Sequence, residues 1–162
     1  MFIRIPLIFI IYSMKENFAA RRSSLAEKVL DDSAIIVGSA PVKSRISDTD
    51  YAYRQDSNFY YLSGYEEPES LLLLRPGHNT EKFVIFCRDR DPLREQWDGF
   101  RTGQDGAVSN YGADAAYSIN AIDKLLPGML DGIKNIYFSM SAPCGVDLKI
   151  KECLELIRSN TR

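Results

Sequence analysis

Four carboxylates are the side chains of this sequence that could most directly do chemistry. Asp48 and Asp50 lie in one polar segment, and Asp89 and Asp91 lie in another. Grouped around magnesium, such carboxylates can support phosphodiester hydrolysis. Arginines stand beside them in both segments, so ion pairing is the simpler use of these charges. The chain of 162 residues has a net charge of −2 and no basic track, which argues against a nucleic-acid partner.

A glycine-punctuated stretch at residues 87–107 is the second candidate site, because it carries Arg101 and the only tryptophan, Trp97. Tryptophan and arginine are enriched among the residues that dominate binding energy, and binding residues concentrate in loops. The pattern predicts a binding loop with a short helical piece at residues 92–97. The alternative is a tryptophan folded back onto the core. The glycines match neither nucleotide-binding fingerprint.

The single histidine and the three cysteines add little chemistry. His78 falls in a turn rich in proline and glycine, without partners at metal-ligand spacing. Cys87, Cys144 and Cys153 show no paired metal spacing either. An odd number of cysteines without a disulfide framework favours a reducing, cytoplasmic location.

Strand patterns alternate with helix patterns along the chain, which is typical of an α/β domain with a mixed sheet. Strands are predicted at the apolar runs 34–37, 70–74, 83–87 and 134–140, with the second and third joined as an antiparallel hairpin. Helices are predicted from Ser13 onward, with Arg21 and Arg22 facing water, over residues 119–130 with a break or kink at Pro127, and over residues 146–158.

Residues 51–69, the aromatic segment, carry six aromatic rings among charged side chains. Such rings bury a large area, and their hydroxyls need hydrogen-bond partners. The composition therefore predicts an aromatic core patch with a polar rim that joins two halves of the domain; a ligand site is the alternative. A short helix at residues 57–62 is expected, capped by Ser57 and ended by Gly64.

The first thirteen residues form an apolar N-terminal extension. Its run from residue 6 to 12 is too short to span a bilayer. It also resembles a weak signal peptide, but Arg4 is its only positive charge, its apolar run is short and no A-x-A-like cleavage site follows. Two interpretations remain, an extra edge strand or sequence upstream of a natural start at Met14. Residues 14–162 then form one domain.

The motifs in these segments resemble the N-terminal domain of aminopeptidase P, the Xaa-Pro aminopeptidase, of the creatinase/prolidase N-terminal domain family. RQDSNFYYLSGYEEPE, FVIFCRDRDPLREQWDGFRTGQDGA and YGADAAYSI occur in that family's order and spacing, and the resemblance covers residues 14–162. It implies an α/β fold in which a ribonuclease-H-like mixed sheet is flanked by helices.

The resemblance also implies a role. In the family this domain precedes a pita-bread catalytic domain, where two manganese ions activate the hydroxide that cleaves the bond before proline. This chain stops before those ligands, so we expect it to hold no catalytic residue and no metal. Its expected partners are its own catalytic domain, further subunits of a homo-oligomer, and peptides with proline in second position. Neither nucleic acid nor a membrane is expected to bind.

Two positions match family residues that approach an active site from this domain. Trp97 matches the tryptophan of a W-x-G-x-R-x-G loop, which includes Arg101 and reaches the active-site mouth of a neighbouring subunit. Asp48 matches an acidic residue near a neighbour's substrate cleft; a loop cap, or an ion pair with Arg45 or Arg54, is its alternative. Two other functions stay open, a stand-alone peptide- or protein-binding module from a truncated peptidase and a magnesium-dependent hydrolase.

Overall fold

A computed structural model describes the backbone of residues 7–46, 49–139 and 145–160, with side chains from residue 17 onward except at 98 and 160. The strands in these ranges are β1 (Ser33–Gly38), β2 (Ser44–Ile46), β3 (Thr49–Asp50), β4 (Leu71–Leu74), β5 (Phe83–Cys87), β6 (Ala115–Ser118) and β7 (Asn135–Phe138). The helices are α1 (Leu7–Ala26), α2 (Ser57–Ser63), α3 (Glu95–Asp98), α4 (Gly103–Tyr111), α5 (Ile122–Leu130) and α6 (Val146–Asn160), with a 3-10 turn at Ile119–Ala121.

Five of the described strands form one mixed sheet in the order β6-β5-β4-β1-β7. β4 runs antiparallel to both of its neighbours, whereas β6 is parallel to β5 and β7 is parallel to β1. A short turn can join β4 to β5, but each parallel pair needs a longer crossover, which here contains helices. The predicted α/β fold, with a mixed sheet flanked by helices, is confirmed, and so is the β4–β5 hairpin.

Helices cover both faces of the sheet because the central strands send alternate side chains into two buried clusters. One cluster packs with α5 and α6, and its strand residues are Ala34, Ile36, Leu71, Leu73, Val84 and Phe86. The other packs with α1, α2 and α4, and its strand residues include Leu72, Leu74, Phe83, Ile85 and Cys87. Unbroken apolar runs are what strands covered on both faces require.

α1 departs from the expectation at its start. It begins at Leu7, so the predicted edge strand is wrong over residues 7–12. Its backbone is already helical at Ser13, where the capping pattern placed the first turn. Residues 1–6 lie outside the described ranges.

Two arginines of α1 lie against α2, so the prediction that both face water is wrong. Arg21 donates to the carbonyl oxygen of Tyr61, and Arg22 donates to that of Leu62. These carbonyls belong to the last turn of α2, which lacks helical donors for them. The Arg22 guanidinium also lies 3.8 Å from the centroid of the Phe83 ring. Burial lowers the pKa of Arg22 to about 10.

α2 confirms the predicted short helix but not its cap. The Asp56 carboxylate, rather than Ser57, accepts hydrogen bonds from two backbone N–H groups of the first turn. At the other end Gly64 adopts φ 69°, and a Cβ atom there would lie 2.5 Å from the Phe18 ring. Glycine is required by both the backbone angle and the close contact.

The second half of the chain contains two elements that were not predicted. α4 begins at Gly103, inside a stretch expected to be a loop, and β6 follows it. α5 continues through Pro127, so the predicted break is wrong. Leu126 and Leu130 are buried on that turn and hold it against the sheet. β7 and α6 agree with the predicted strand and last helix.

Candidate functional site

The Trp97 loop, residues 91–101, stands out from the domain surface. The side chain of Trp97 is 88% exposed, and Leu93 and Phe100 in the same loop are 77% and 69% exposed. The alternative of a tryptophan folded onto the core is therefore wrong. Large apolar side chains grouped on a surface mark an interaction site.

Ion pairs, turn hydrogen bonds and one cation–π contact hold this loop. The Arg90 guanidinium donates to both carboxylate oxygens of Glu95, at 3.1 Å each, and lies 4.8 Å from the Phe100 ring centroid. Hydrogen bonding to Arg90 lowers the pKa of Glu95. The Asp91 carboxylate accepts from the backbone N–H groups of Leu93 and Arg94. A bidentate arginine pair fixes direction as well as distance.

The base of the loop is attached to the aromatic segment. The Glu67 carboxylate accepts from the backbone N–H of Thr102 at 2.7 Å and from the Arg88 guanidinium at 3.4 Å. Arg101 is only 7% exposed and donates to the backbone carbonyl of Asp89. The structure thus separates the two residues predicted together, with Trp97 presented outward and Arg101 buried below it.

The second predicted position, Asp48, lies outside the described residues, and so do its proposed ion pairs. The strands on either side of it, β2 and β3, form a small hairpin, the β2–β3 arm, with exposed side chains throughout. Ser44 donates to the Asp50 carboxylate across this hairpin, and the N–H of Tyr51 donates to the carbonyl of Lys43 at its base. The sequence segment was expected to be polar but not to form strands.

The aromatic segment forms a core patch rather than an open ligand site. Phe59 and Tyr65 are fully buried, and burial raises the pKa of the Tyr65 hydroxyl. Gln55 provides the polar rim that was expected. Its carbonyl oxygen accepts from the Ala40 N–H, the Tyr53 hydroxyl and the Asp56 N–H, and its amide donates to the carbonyls of residues 65 and 67.

The four carboxylates singled out for magnesium are not brought together in the described part of the chain. No group of three or more His, Cys, Asp or Glu residues there is placed to hold a metal ion. Asp89 accepts instead from Gln104, Ser118 and Asn120. A phosphodiesterase site is therefore not supported by the described residues.

The remaining reactive side chains serve structural roles. His78 accepts a hydrogen bond from the Glu81 N–H through its Nδ1 atom, which closes its turn. Cys87 and Cys153 are buried free thiols, and Cys144 lies outside the described ranges. Burial raises the pKa of Cys87 to about 11, which leaves its thiol protonated and unreactive near neutral pH.

A cleft of about 570 Å³ lies beside the Trp97 loop. Its lining carries both signs of charge, with Arg88 and Arg94 near Asp89 and Glu69. Glu69 is also the one non-glycine residue in the described ranges with positive φ, at 53°. The mixed charges of this cleft do not select one class of charged ligand.

The fold and the site define an α/β domain. It has one five-stranded mixed sheet, the exposed Trp97 loop and the separate two-stranded β2–β3 arm. The sequence model of the aminopeptidase P N-terminal domain matches residues 18–137, and the chain belongs to that family. Within the described ranges, no helix combines the length and the hydrophobicity needed to cross a lipid bilayer.

Relatives of known structure share the fold over nearly the whole chain. The aminopeptidase PepP of Pseudomonas aeruginosa superposes with a TM-score of 0.89 at 42% identity, covering 99% of this chain and 35% of that one. A zinc-substituted Escherichia coli aminopeptidase P in complex with product gives a TM-score of 0.86 at 34% identity, covering 91% of this chain and 34% of that one.

Curated relatives are much longer than this chain. The Xaa-Pro aminopeptidase of E. coli is 34% identical over 149 residues, which are 91% of this chain and 34% of that protein. The human Xaa-Pro aminopeptidase 3 is 37% identical over 121 residues, which are 72% of this chain and 24% of that protein. The chain therefore spans about a third or less of the length of these relatives.

Proposed function

We propose that this chain is the N-terminal, non-catalytic domain of a manganese-dependent Xaa-Pro aminopeptidase, the enzyme that releases an N-terminal residue preceding proline. Its work is to assemble subunits into a homo-oligomer and to shape the cleft through which peptides enter. The observation that carries this proposal is the braced loop with Trp97 exposed at 88%, in a chain whose relatives are Xaa-Pro aminopeptidases about three times as long. The enzyme acts in the cytoplasm.

The bond-breaking chemistry belongs to a catalytic domain joined to this one. Two manganese ions held there would generate the attacking hydroxide. The described residues of this chain offer no cluster that fits such ions, so no catalytic step is assigned to them. One E. coli relative is a zinc-substituted aminopeptidase P in complex with product.

Trp97 and Asp48 have recognition roles in this proposal. The flat indole of Trp97 suits the ring of a proline and the adjoining peptide backbone, and its exposure leaves it available to a neighbouring subunit's active-site mouth. The carboxylate of Asp48, which falls between β2 and β3 in the sequence, suits the free α-amino group of a peptide. Arg101, buried at the loop base, would act by holding the loop in place.

The first experiment measures the size and activity of the native gene product. An antibody raised to this chain is used on source-cell extract, and the captured product is assayed with manganese on peptides that have proline in second position. A larger product that releases the first residue is expected. A product of this chain's own size without activity would overturn the proposal and favour the peptide- or protein-binding module.

The role of Trp97 is tested in that larger product with Trp97→Ala, and with Leu148→Ala as a control at an exposed apolar residue outside the loop. Loss of an exposed aromatic anchor is expected to lower kcat/KM about thirtyfold, equivalent to about 2 kcal/mol. The Leu148 variant should lose much less. Equal kcat/KM for the parent and the Trp97 variant would rule out this role.

A further inference from the structure

We infer that Glu67 is the positioning residue for Trp97, because its carboxylate holds both ends of the Trp97 loop on the aromatic segment. The biological meaning of this inference rests on the proposed function. Its physical basis consists only of contacts within this chain.

The two hydrogen bonds of Glu67 fall on either side of the Trp97 loop. Thr102, which donates its backbone N–H at 2.7 Å, follows the loop directly. Arg88, which donates from its guanidinium at 3.4 Å, precedes the loop by a few residues. The Glu67 side chain is only 15% exposed, so water competes weakly for these bonds. Hydrogen bonds to an ionised acceptor are stronger than those between neutral groups.

Glu67 is itself held in place by Gln55. Its backbone carbonyl accepts from the side-chain amide of Gln55 at 2.9 Å. The carbonyl oxygen of the same amide accepts from the N–H of Ala40 at 2.9 Å. The Tyr53 hydroxyl shares its single proton between this oxygen and the backbone carbonyl of Ala40, each at 3.0 Å. The loop is thus anchored to a segment that is fixed to the end of β1.

The same network connects the loop to the β2–β3 arm, because Ala40 and Tyr53 stand on either side of the arm in sequence. The Trp97 loop and the β2–β3 arm are therefore attached to the same hydrogen-bond network. A contact that only stabilised the fold would affect the whole domain when removed. Removing a positioning contact should loosen the loop far more than the sheet, and this difference can be measured.

The test uses this 162-residue chain and backbone ¹⁵N relaxation, with Glu67→Ala, Glu67→Gln and a Glu66→Ala control. In the parent chain the order parameter of the Trp97 amide should be about 0.85, as in rigid backbone, and in Glu67→Ala it should fall below about 0.6. Glu67→Gln keeps an oxygen for the Thr102 N–H and should fall between. Glu66→Ala removes the same charge from an exposed neighbour and should match the parent.

Several results would overturn the inference. One is a low order parameter of the Trp97 amide in the parent chain. Another is an order parameter of this amide that is unchanged in Glu67→Ala. A third is an equal loss of order at this amide in the Glu66→Ala control. A uniform loss of order across α5 and the sheet would show a purely structural role. If Glu67→Ala does not fold, an unchanged Trp97 amide in Glu67→Gln overturns it. None of these measurements needs aminopeptidase activity, so a failure here is separate from a failure of the proposed function.

Discussion

Two parts of this molecule have similar compositions and opposite environments. The aromatic segment and the Trp97 loop both mix rings with closely spaced charges. In the first, Phe59 and Tyr65 are fully buried against the sheet. In the second, Trp97 and Phe100 project into solvent. Aromatic content alone therefore does not tell whether a segment is core or surface.

The partners of the polar side chains account for the difference. In the aromatic segment, Gln55 bonds to the chain beyond β1, and Arg21 of α1 donates to the carbonyl of Tyr61, so the segment is held on the fold. Phe59 and Tyr65 turn inward, whereas Tyr51 and Tyr61 stay more than half exposed at its rim.

At the Trp97 loop, Arg90, which immediately precedes it, bonds to Glu95, and Asp91 bonds to its own neighbours. Because these contacts are local and Glu67 holds the loop only at its two ends, the rings between those ends are left outside.

Truncating a buried ring should have the largest effect on the free energy of unfolding. Phe59→Ala removes a side chain with no exposure from the cluster beneath α2, and it should lower the free energy of unfolding by about 3–5 kcal/mol. Urea denaturation followed by far-ultraviolet circular dichroism measures this. A loss below about 1 kcal/mol would mean that the aromatic segment is not part of the core.

A change of pH tests the same buried cluster without removing a ring. The folded-state pKa of Cys87 is raised by burial from about 9 to about 11. A raised pKa contributes stability that is complete below about pH 9 and is lost as pH rises towards 11. The contribution is on the order of 2 kcal/mol.

The unfolding free energy should therefore fall between pH 9 and pH 11, and the Cys87→Ala variant should lose less over this interval. Denaturation at a series of pH values measures both slopes. Identical slopes for the two proteins would show that the thiol titrates equally in the folded and unfolded states. The buried hydroxyl of Tyr65, whose pKa is also raised, remains in both proteins.

Truncating the exposed ring should give the smallest effect on stability. Trp97→Ala should change the free energy of unfolding by no more than about 0.5 kcal/mol, since an exposed side chain buries little area. The urea experiment used for Phe59 provides the comparison. A large destabilisation would show that the indole packs on the domain in solution, and the contrast between the two regions would disappear.

Local patterns were sufficient to predict the elements with strong periodicity. The runs at β4 and β5 are apolar throughout, and the hairpin between them follows from a short turn. α4 was missed because its sequence, GQDGAVSNY, is rich in glycine and polar residues and buries little more than Ala107. β6 was missed because its four residues are only partly buried. The cap of α2 was misplaced by one residue because Asp56 and Ser57 are equally suitable by type.

Only part of the site could be predicted from the sequence. A binding loop with Trp97 was one of two open alternatives, and the burial of Arg101 beneath it was not foreseen. Glu67 and Gln55 were missed because their partners are distant in sequence; Glu67 and Thr102 are 35 residues apart. The EPE at the end of the aromatic segment was the available signal, but its spacing does not reveal which groups Glu67 bonds to.

The position of β1 in the sheet has a consequence for synthesis on the ribosome. Its neighbour on one side, β4, is made soon after it, but Ser33 pairs on the other side with Asn135, more than a hundred residues later. A four-stranded sheet of β6, β5, β4 and β1 can therefore assemble on the nascent chain while one edge of β1 is still open. Until β7 arrives, that edge displays unpaired backbone groups, which are a template for pairing with other chains. The interval before β7 emerges is thus when this protein is most exposed to misassembly.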